Sequence, residues 1–268
     1  MIKLIASDMD GTLLNDRKEL PADFFDVLCR LEERGIKFTV ASGRSYDAVA
    51  HLFPEEYRSR LDFICDNGAN IYHEGKQARY TPLERATFEQ LIRACDEIGG
   101  LRVLVCAGKG TYHLEAEPDF TAEIAKYYKN HIPCDDLLSV DDVIYKVAVC
   151  DLQGTEKHAK PALDAVMGDK LNVQVSGPIW MDVMSAGVNK GSALAQLAEL
   201  LGIDSSEVMA FGDYLNDAEM LSYAGWSFAM ENGHPDVKQI AAYTAGNNND
   251  NGVLKAVRRY ALGESVEK

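Results

Sequence analysis

Short apolar runs that stop abruptly on Asp, Asn, Ser or Gly recur at both ends of this chain, and nothing else in it restricts the fold so strongly. Ile2 to Ala6 is one such run and breaks at Asp8-Met9-Asp10-Gly11. Ile36 to Ala41 ends on Ser42-Gly43-Arg44, Leu61 to Cys65 opens into Asn67-Gly68, and Val208 to Phe211 stops at Gly212-Asp213. Brief runs of β-formers bounded by turn residues read as buried strands. Between them, Pro21 to Arg34 sets Phe24, Leu28 and Leu31 at helical spacing before Gly35, and Val188 to Leu201 is a helix running up to Gly202. Tyr223 to Met230 and Ala242 to Ala245 add two more apolar runs, and Glu74-Gly75 between Ile71-Tyr72 and Arg79-Tyr80 is a hairpin signal. Alternation of this kind predicts an α/β fold, a doubly wound, mostly parallel sheet with helices on both faces.

The middle of the chain breaks the rhythm. A helix (Leu83 to Ile98), two strands (Leu101 to Cys106, Thr111 to Glu115) and a helix (Phe120 to Asn130) come first. A strand (Val143 to Asp151), a helix (Glu156 to Met167) and a strand (Leu171 to Val175) follow. That order predicts an α+β unit on its own antiparallel sheet. We therefore expect residues 1–82 and 186–268 to form one α/β core, with 83–185 inserted as a cap; 268 residues suffice for both.

A net charge of −15 opposes binding to nucleic acid and to anionic membranes, which need basic residues to displace counterions. The six cysteines form no C-x-x-C pair and sit mostly in apolar stretches, so they read as buried free thiols. With only a short apolar start at the N-terminus, the expected setting is the cytoplasm. The six histidines show no metal-ligand spacing and read as structural or surface groups, and Trp180, Met181, Tyr127 and Tyr128 read as packing residues, with substrate contact the alternative for Trp180 and Met181 at the junction of cap and core.

Active sites of open α/β sheets lie beyond the carboxyl ends of the strands. Four polar clusters fall at such positions: Asp8 to Thr12, Ser42-Gly43-Arg44, Asn189-Lys190-Gly191 before a helix, and Gly212-Asp213 with Asn216-Asp217. Singly each has a bland explanation. Asp-x-Asp-Gly makes turns, Ser caps helices, a lysine is usually a solvated charge, and Gly-Asp-x-x-Asn-Asp is a turn with a helix cap. All four in order point to chemistry.

With those residues in place the chain resembles the haloacid dehalogenase superfamily, and within it the Cof-type phosphatases that carry a large α/β cap of the C2B type. DMDGTL (Asp8 to Leu13), ASGR (Ala41 to Arg44), NKG (Asn189 to Gly191) and GDYLND (Gly212 to Asp217) match the four motifs, and DNGA (Asp66 to Ala69) matches the subfamily's Asn-Gly-Ala loop. Ser42 stands where threonine is frequent and keeps the hydroxyl. The resemblance implies hydrolysis of small phosphate monoesters, sugar phosphates first and cofactors such as pyridoxal phosphate or flavin mononucleotide next, through an aspartyl-phosphate. It implies Asp8 as nucleophile, Asp10 as general acid and then base, and Lys190 as the group offsetting negative charge. It places Mg²⁺ on the Asp8 carboxylate, the Asp10 carbonyl and Asp213, with Asp217 in support. Ser42 and Asn216 would bind phosphoryl oxygens, and Gly43, Arg44, Asn67 and Gly68 would face the leaving group or the cap.

Two rivals share part of this pattern. A phosphorelay receiver also phosphorylates an aspartate at a strand end, but it is shorter and lacks the acid that Asp10 supplies. A sugar phosphomutase of the same superfamily would return the phosphoryl group to sugar instead of water. The partner implied is a small phosphorylated metabolite, bound by a monomer or homodimer.

Overall fold

The structure, a computed structural model, describes residues 1–115, 117–128 and 130–264. Strands β1 (Leu4–Asp8), β2 (Lys37–Ala41), β3 (Asp62–Cys65), β4 (Asn70–His73) and β5 (Lys76–Tyr80) come first. The next six are β6 (Arg102–Ala107), β7 (Gly110–Leu114), β8 (His131–Cys134), β9 (Ile144–Cys150), β10 (Leu171–Val175) and β11 (Trp180–Ser185). The last three are β12 (Val208–Gly212), β13 (Trp226–Met230) and β14 (Tyr243–Ala245).

These strands build two sheets. The first has eight strands in the order β14-β13-β12-β1-β2-β3-β4-β5, parallel from β14 to β3 and closed by an antiparallel hairpin. The second has six in the order β10-β11-β9-β6-β7-β8. It is antiparallel as expected except for β7 and β8, which run parallel. The mixed α/β architecture expected from the alternation is therefore present.

Strand periodicity explains why the first sheet is covered on both faces. Ile5, Phe38 and Val40 point one way, into a core shared with helix α1 (Phe24–Glu32). Leu4, Ala6, Ala41 and Ile64 point the other way, against the later helix Lys190–Leu201. Burial on both faces demands near-continuous apolar strands, which is what β1 to β3 supply. In the second sheet, Val147 and Val149 of β9 and Met181 and Val183 of β11 pack against the helices Arg85–Ile98 and Ala159–Met167.

Two strands went unforeseen. β8 is only His-Ile-Pro-Cys, and its proline removes a ladder donor, so it carries almost no strand signal. β11 reads Trp-Met-Asp-Val-Met-Ser, and Asp182, itself buried, interrupts the apolar signal of the segment. All six cysteines are unpaired, four of them buried.

Candidate active site

Strand register brings the polar clusters to one edge. Asp8 pairs with Ala41 across β1 and β2, and Ser7 lies opposite Phe211 across β1 and β12. Ser42 and Asp213 therefore emerge level with Asp8, although Thr12 and Asp213 stand 201 positions apart in the sequence. Thr12 donates to Asp213 Oδ1 at 2.9 Å and ties the two loops together. Gly11 sits at φ 86°, and a Cβ there would lie 2.5 Å from Asp213 Oδ2, so only glycine fits the turn.

A cavity of about 460 Å³ opens above this edge, lined by Asp8, Asp10, Ser42, Gly43, Arg44, Asp213 and Asn216. Lys190 and Asp217 are fully buried beneath it. Asn189 caps the Lys190–Leu201 helix by accepting from Ser192 N, which fixes Lys190 in the first turn. From there Nζ donates to Asp8 Oδ1 at 2.6 Å and to Asp217 Oδ1 at 2.7 Å. The other Asp217 oxygen accepts from the backbone N–H groups of Asp213 and Tyr214, so both of its oxygens are committed.

The charges are crowded. Burial lifts the Asp8 carboxyl well above its usual range, and Lys190 only partly offsets this while Asp217 and Asp213 repel its charge. Burial and the Asp217 charge push Asp213 up to about 6. Burial alone would deprotonate Lys190 more readily, but Asp217 and Asp8 outweigh it and hold the ammonium charged. Asp10 differs. Burial raises its pKa, yet Arg44, donating at 2.9 and 2.7 Å, and Lys18, at 2.8 Å, overcome that and keep it below the ordinary carboxylate value.

Among the described residues, Asp8, Asp213 and Asp217 can each offer a carboxylate oxygen within 4.8 Å of the others. The donor set is all hard oxygen, which suits Mg²⁺ rather than a softer metal. Asp8 and Asp213 each keep one oxygen without a hydrogen bond among the described residues, whereas Asp217 keeps none. The residues fit a hard divalent cation held by Asp8 and Asp213, with Asp217 orienting them.

Asn67 and Gly68 are not brought to the cavity wall. Asn67, at φ 52° and wholly buried, donates from Nδ2 to Asp182 at 2.7 Å and accepts from Asn216 Nδ2 at 3.1 Å. A Cβ on Gly68 would fall 2.2 Å from the Asn189 carbonyl oxygen, so this glycine serves a close backbone approach. Tyr128, Lys146, Trp180, Asp182 and Tyr214 do line the cavity and were not read from sequence as site residues. The usable signal was a lone charge inside an apolar run, Lys146 in IYKVAVC and Asp182 in WMDVMS, since such charges are seldom buried unless paired. Tyr128 and Trp180 combine packing with a place in the wall. The side chain of Tyr127 lies outside the described residues.

Behind Asn67, Asp66 is buried with Oδ1 unpartnered, and burial raises it to about 6 despite the nearby Lys146 charge. A carboxyl whose folded pKa is raised stabilises the fold below its unfolded value, 3.8, and that contribution is lost as pH climbs through about 6. Asp66→Asn removes the cost of ionisation. Its stability advantage over the parent should grow from pH 4 to pH 6, reach about 2–3 kcal/mol and stay flat above. Urea unfolding of both proteins across that range is the measurement, and an advantage independent of pH would contradict it.

A doubly wound parallel sheet with an acidic cluster at its carboxyl edge, beneath a second sheet, is the architecture of the haloacid dehalogenase fold. A family model of haloacid dehalogenase-like hydrolases matches residues 5–257, and the chain belongs to that family. It is 34% identical over 266 residues, 98% of each chain, to the 5-amino-6-(5-phospho-D-ribitylamino)uracil phosphatase YbjI of Escherichia coli K12. It is 31% identical to the HMP-PP phosphatase of Klebsiella pneumoniae, covering 89% of this chain and 87% of that one. The crystal structure of SMU.1108c from Streptococcus mutans UA159 superposes with a TM-score of 0.91 at 28% identity, covering 98% and 100% of the two chains. The chain is accordingly an enzyme of the phosphatase class, acting on phosphate esters. Among the described residues no helix is long and apolar enough to cross a membrane.

Proposed function

We propose that this enzyme hydrolyses phosphate monoesters of small metabolites through a phosphoryl group carried on Asp8. One observation carries the reading: Asp8 stands at the floor of the cavity with one oxygen held by Lys190 at 2.6 Å, and Asp10 stands two residues along at the rim. In the first half, an Asp8 carboxylate oxygen attacks phosphorus, the bond to the leaving oxygen breaks, and Asp10 gives that oxygen a proton. In the second half, Asp10 takes a proton from water, the hydroxide attacks phosphorus, and the bond to Asp8 breaks to release phosphate. Arg44 and Lys18 favour Asp10 as the carboxylate, the form that the second half needs, so its role as acid in the first half draws on the minor protonated form.

Catalysis of phosphoryl transfer is mostly positioning and charge neutralisation. Ser42 and Asn216 line the cavity and in this reading bind phosphoryl oxygens, and Lys190 lowers the repulsion between Asp8 and the ester. A bound Mg²⁺ on Asp8, Asp213 and the Asp10 carbonyl would add charge neutralisation at the phosphoryl group. The segment 83–185 acts as the cap in this reading and contributes the Tyr128 and Trp180 side of the wall. One relative is named for a phosphoribityl-aminouracil, so that class belongs in the first substrate panel beside sugar phosphates, pyridoxal phosphate and flavin mononucleotide.

The test is phosphate release across that panel with Mg²⁺, with chelator and with Ca²⁺. Activity should vanish with chelator and return with Mg²⁺ but not with Ca²⁺, whose longer bonds and higher coordination number let it engage both oxygens of Asp8. Full turnover in excess chelator would remove the metal from the reading.

A further inference from the structure

Lys146 and Asp182 form a buried ion pair at 3.0 Å that the four sequence motifs do not include. They stand on neighbouring antiparallel strands, where Asp182 of β11 lies opposite Ala148 of β9, so both point from the same face of the second sheet. Neither stays within that sheet. Lys146 Nζ donates to the Gly43 carbonyl at 2.6 Å, inside the loop that carries Ser42 and Arg44. Asp182 Oδ2 accepts from Asn67 Nδ2 at 2.7 Å, and the same amide's oxygen accepts from Asn216 at 3.1 Å. Asn67 N also donates to the Ser42 carbonyl at 3.1 Å. One ion pair from the second sheet is thereby joined to both loops that surround the phosphoryl position.

Burying a lysine and an aspartate away from water is costly unless each is bonded; here they bond each other, and the next bond of each goes to a loop of the first sheet, at Gly43 and Asn67. The arrangement is complete only while the second sheet sits down on the first. We infer that Lys146 and Asp182 are positioning residues, which set Asn216 and the Ser42–Arg44 loop in working geometry when the second sheet closes over the cavity. They act through Asn67 and the Gly43 carbonyl, without bonding to the reacting atoms. The inference rests on the proposed Asp8 chemistry.

The experiment is a mutant cycle in the full-length enzyme with Mg²⁺ and p-nitrophenyl phosphate: Lys146→Met, Asp182→Leu and the double variant. The double variant leaves no unpaired buried charge, and thermal melting establishes that it is folded. Its kcat should fall by about 10- to 100-fold with KM changed by less than about threefold, the mark of misplaced groups rather than lost substrate binding. Each single variant should lose as much as the double, because the pair works as one unit. Should the pair variants not fold, Asn67→Gly cuts the same chain from the other side, and glycine accepts the left-handed backbone at φ 52°. It should lower kcat alike. A folded double variant or Asn67→Gly with kcat within twofold of the parent overturns the inference, as do single losses that multiply in the double. If Asp8→Asn is inactive while these variants are fully active, this inference alone fails; if Asp8→Asn turns over, the Asp8 chemistry fails first.

Discussion

Asp8→Asn should reduce phosphate release to background while leaving the fold intact. An amide is isosteric with the carboxylate, so the β1 edge, the cavity and the strand register lose no volume. What disappears is the nucleophile, since a neutral amide oxygen does not attack a phosphorus shielded by its own negative charge. The Lys190 contact survives in part, because the amide oxygen can still accept from Nζ. Removing one charge from a cluster that already raises the pKa of Asp8 and Asp213 should even steady the metal-free fold. The measurement is phosphate release at saturating Mg²⁺ with unfolding of the same sample. Turnover within tenfold of the parent would end the covalent mechanism.

Lys190→Met should be nearly as damaging, in two separable ways. Lys190, itself fully buried, neutralises Asp8 and Asp217 from beneath, at 2.6 and 2.7 Å. Removing a preorganised charge of this kind costs about 10²–10³ in kcat. The fold suffers too, because methionine fills the space but leaves carboxylates buried without a cation, a loss of about 3–5 kcal/mol when one partner of a buried pair is removed. The pH dependence has a definite sign. Carboxyls with raised folded pKa stabilise the protein at low pH and lose that contribution as pH rises through their folded values. In the parent that window already runs from 3.8 to about 6 for Asp213. Without Lys190 it extends higher, so the metal-free variant should be penalised more at pH 8 than at pH 5. Urea unfolding at the two values checks this, and an equal penalty at both would mean that Lys190 does not hold the cluster together.

The first sheet and its motifs could be read from the chain because each β-run breaks sharply where the backbone leaves the sheet. Asp8, Ser42 and Asp213 are found by that break alone, and the parallel register then makes them neighbours. Lys190 could be placed before a helix, but its depth could not, since burial depends on Asp8 and Asp217 arriving from distant segments. The contacts of Asn67 and Gly68 are hidden for the same reason: they are made with Asp182, Asn216 and Asn189, which arrive from far along the chain. Lys146 and Asp182 were the hardest. Each reads as a blemish in an apolar strand, and only the meeting of two sheets turns both into partners of Gly43 and Asn67.

The central position of β1 also governs how the molecule must be made. During synthesis β1 emerges long before one of its two neighbours, β12, which leaves the ribosome only after some two hundred further residues have been added. Until then β1 presents a bare row of N–H and C=O groups, a liability for pairing with other nascent chains. Contacts so remote in sequence carry a large loop-closure cost and form late. The second sheet, assembled from strands closer together in the chain, can consolidate while β1 waits. No fragment ending before β12 can contain Asp213 beside Asp8, so the enzyme cannot begin work half-built.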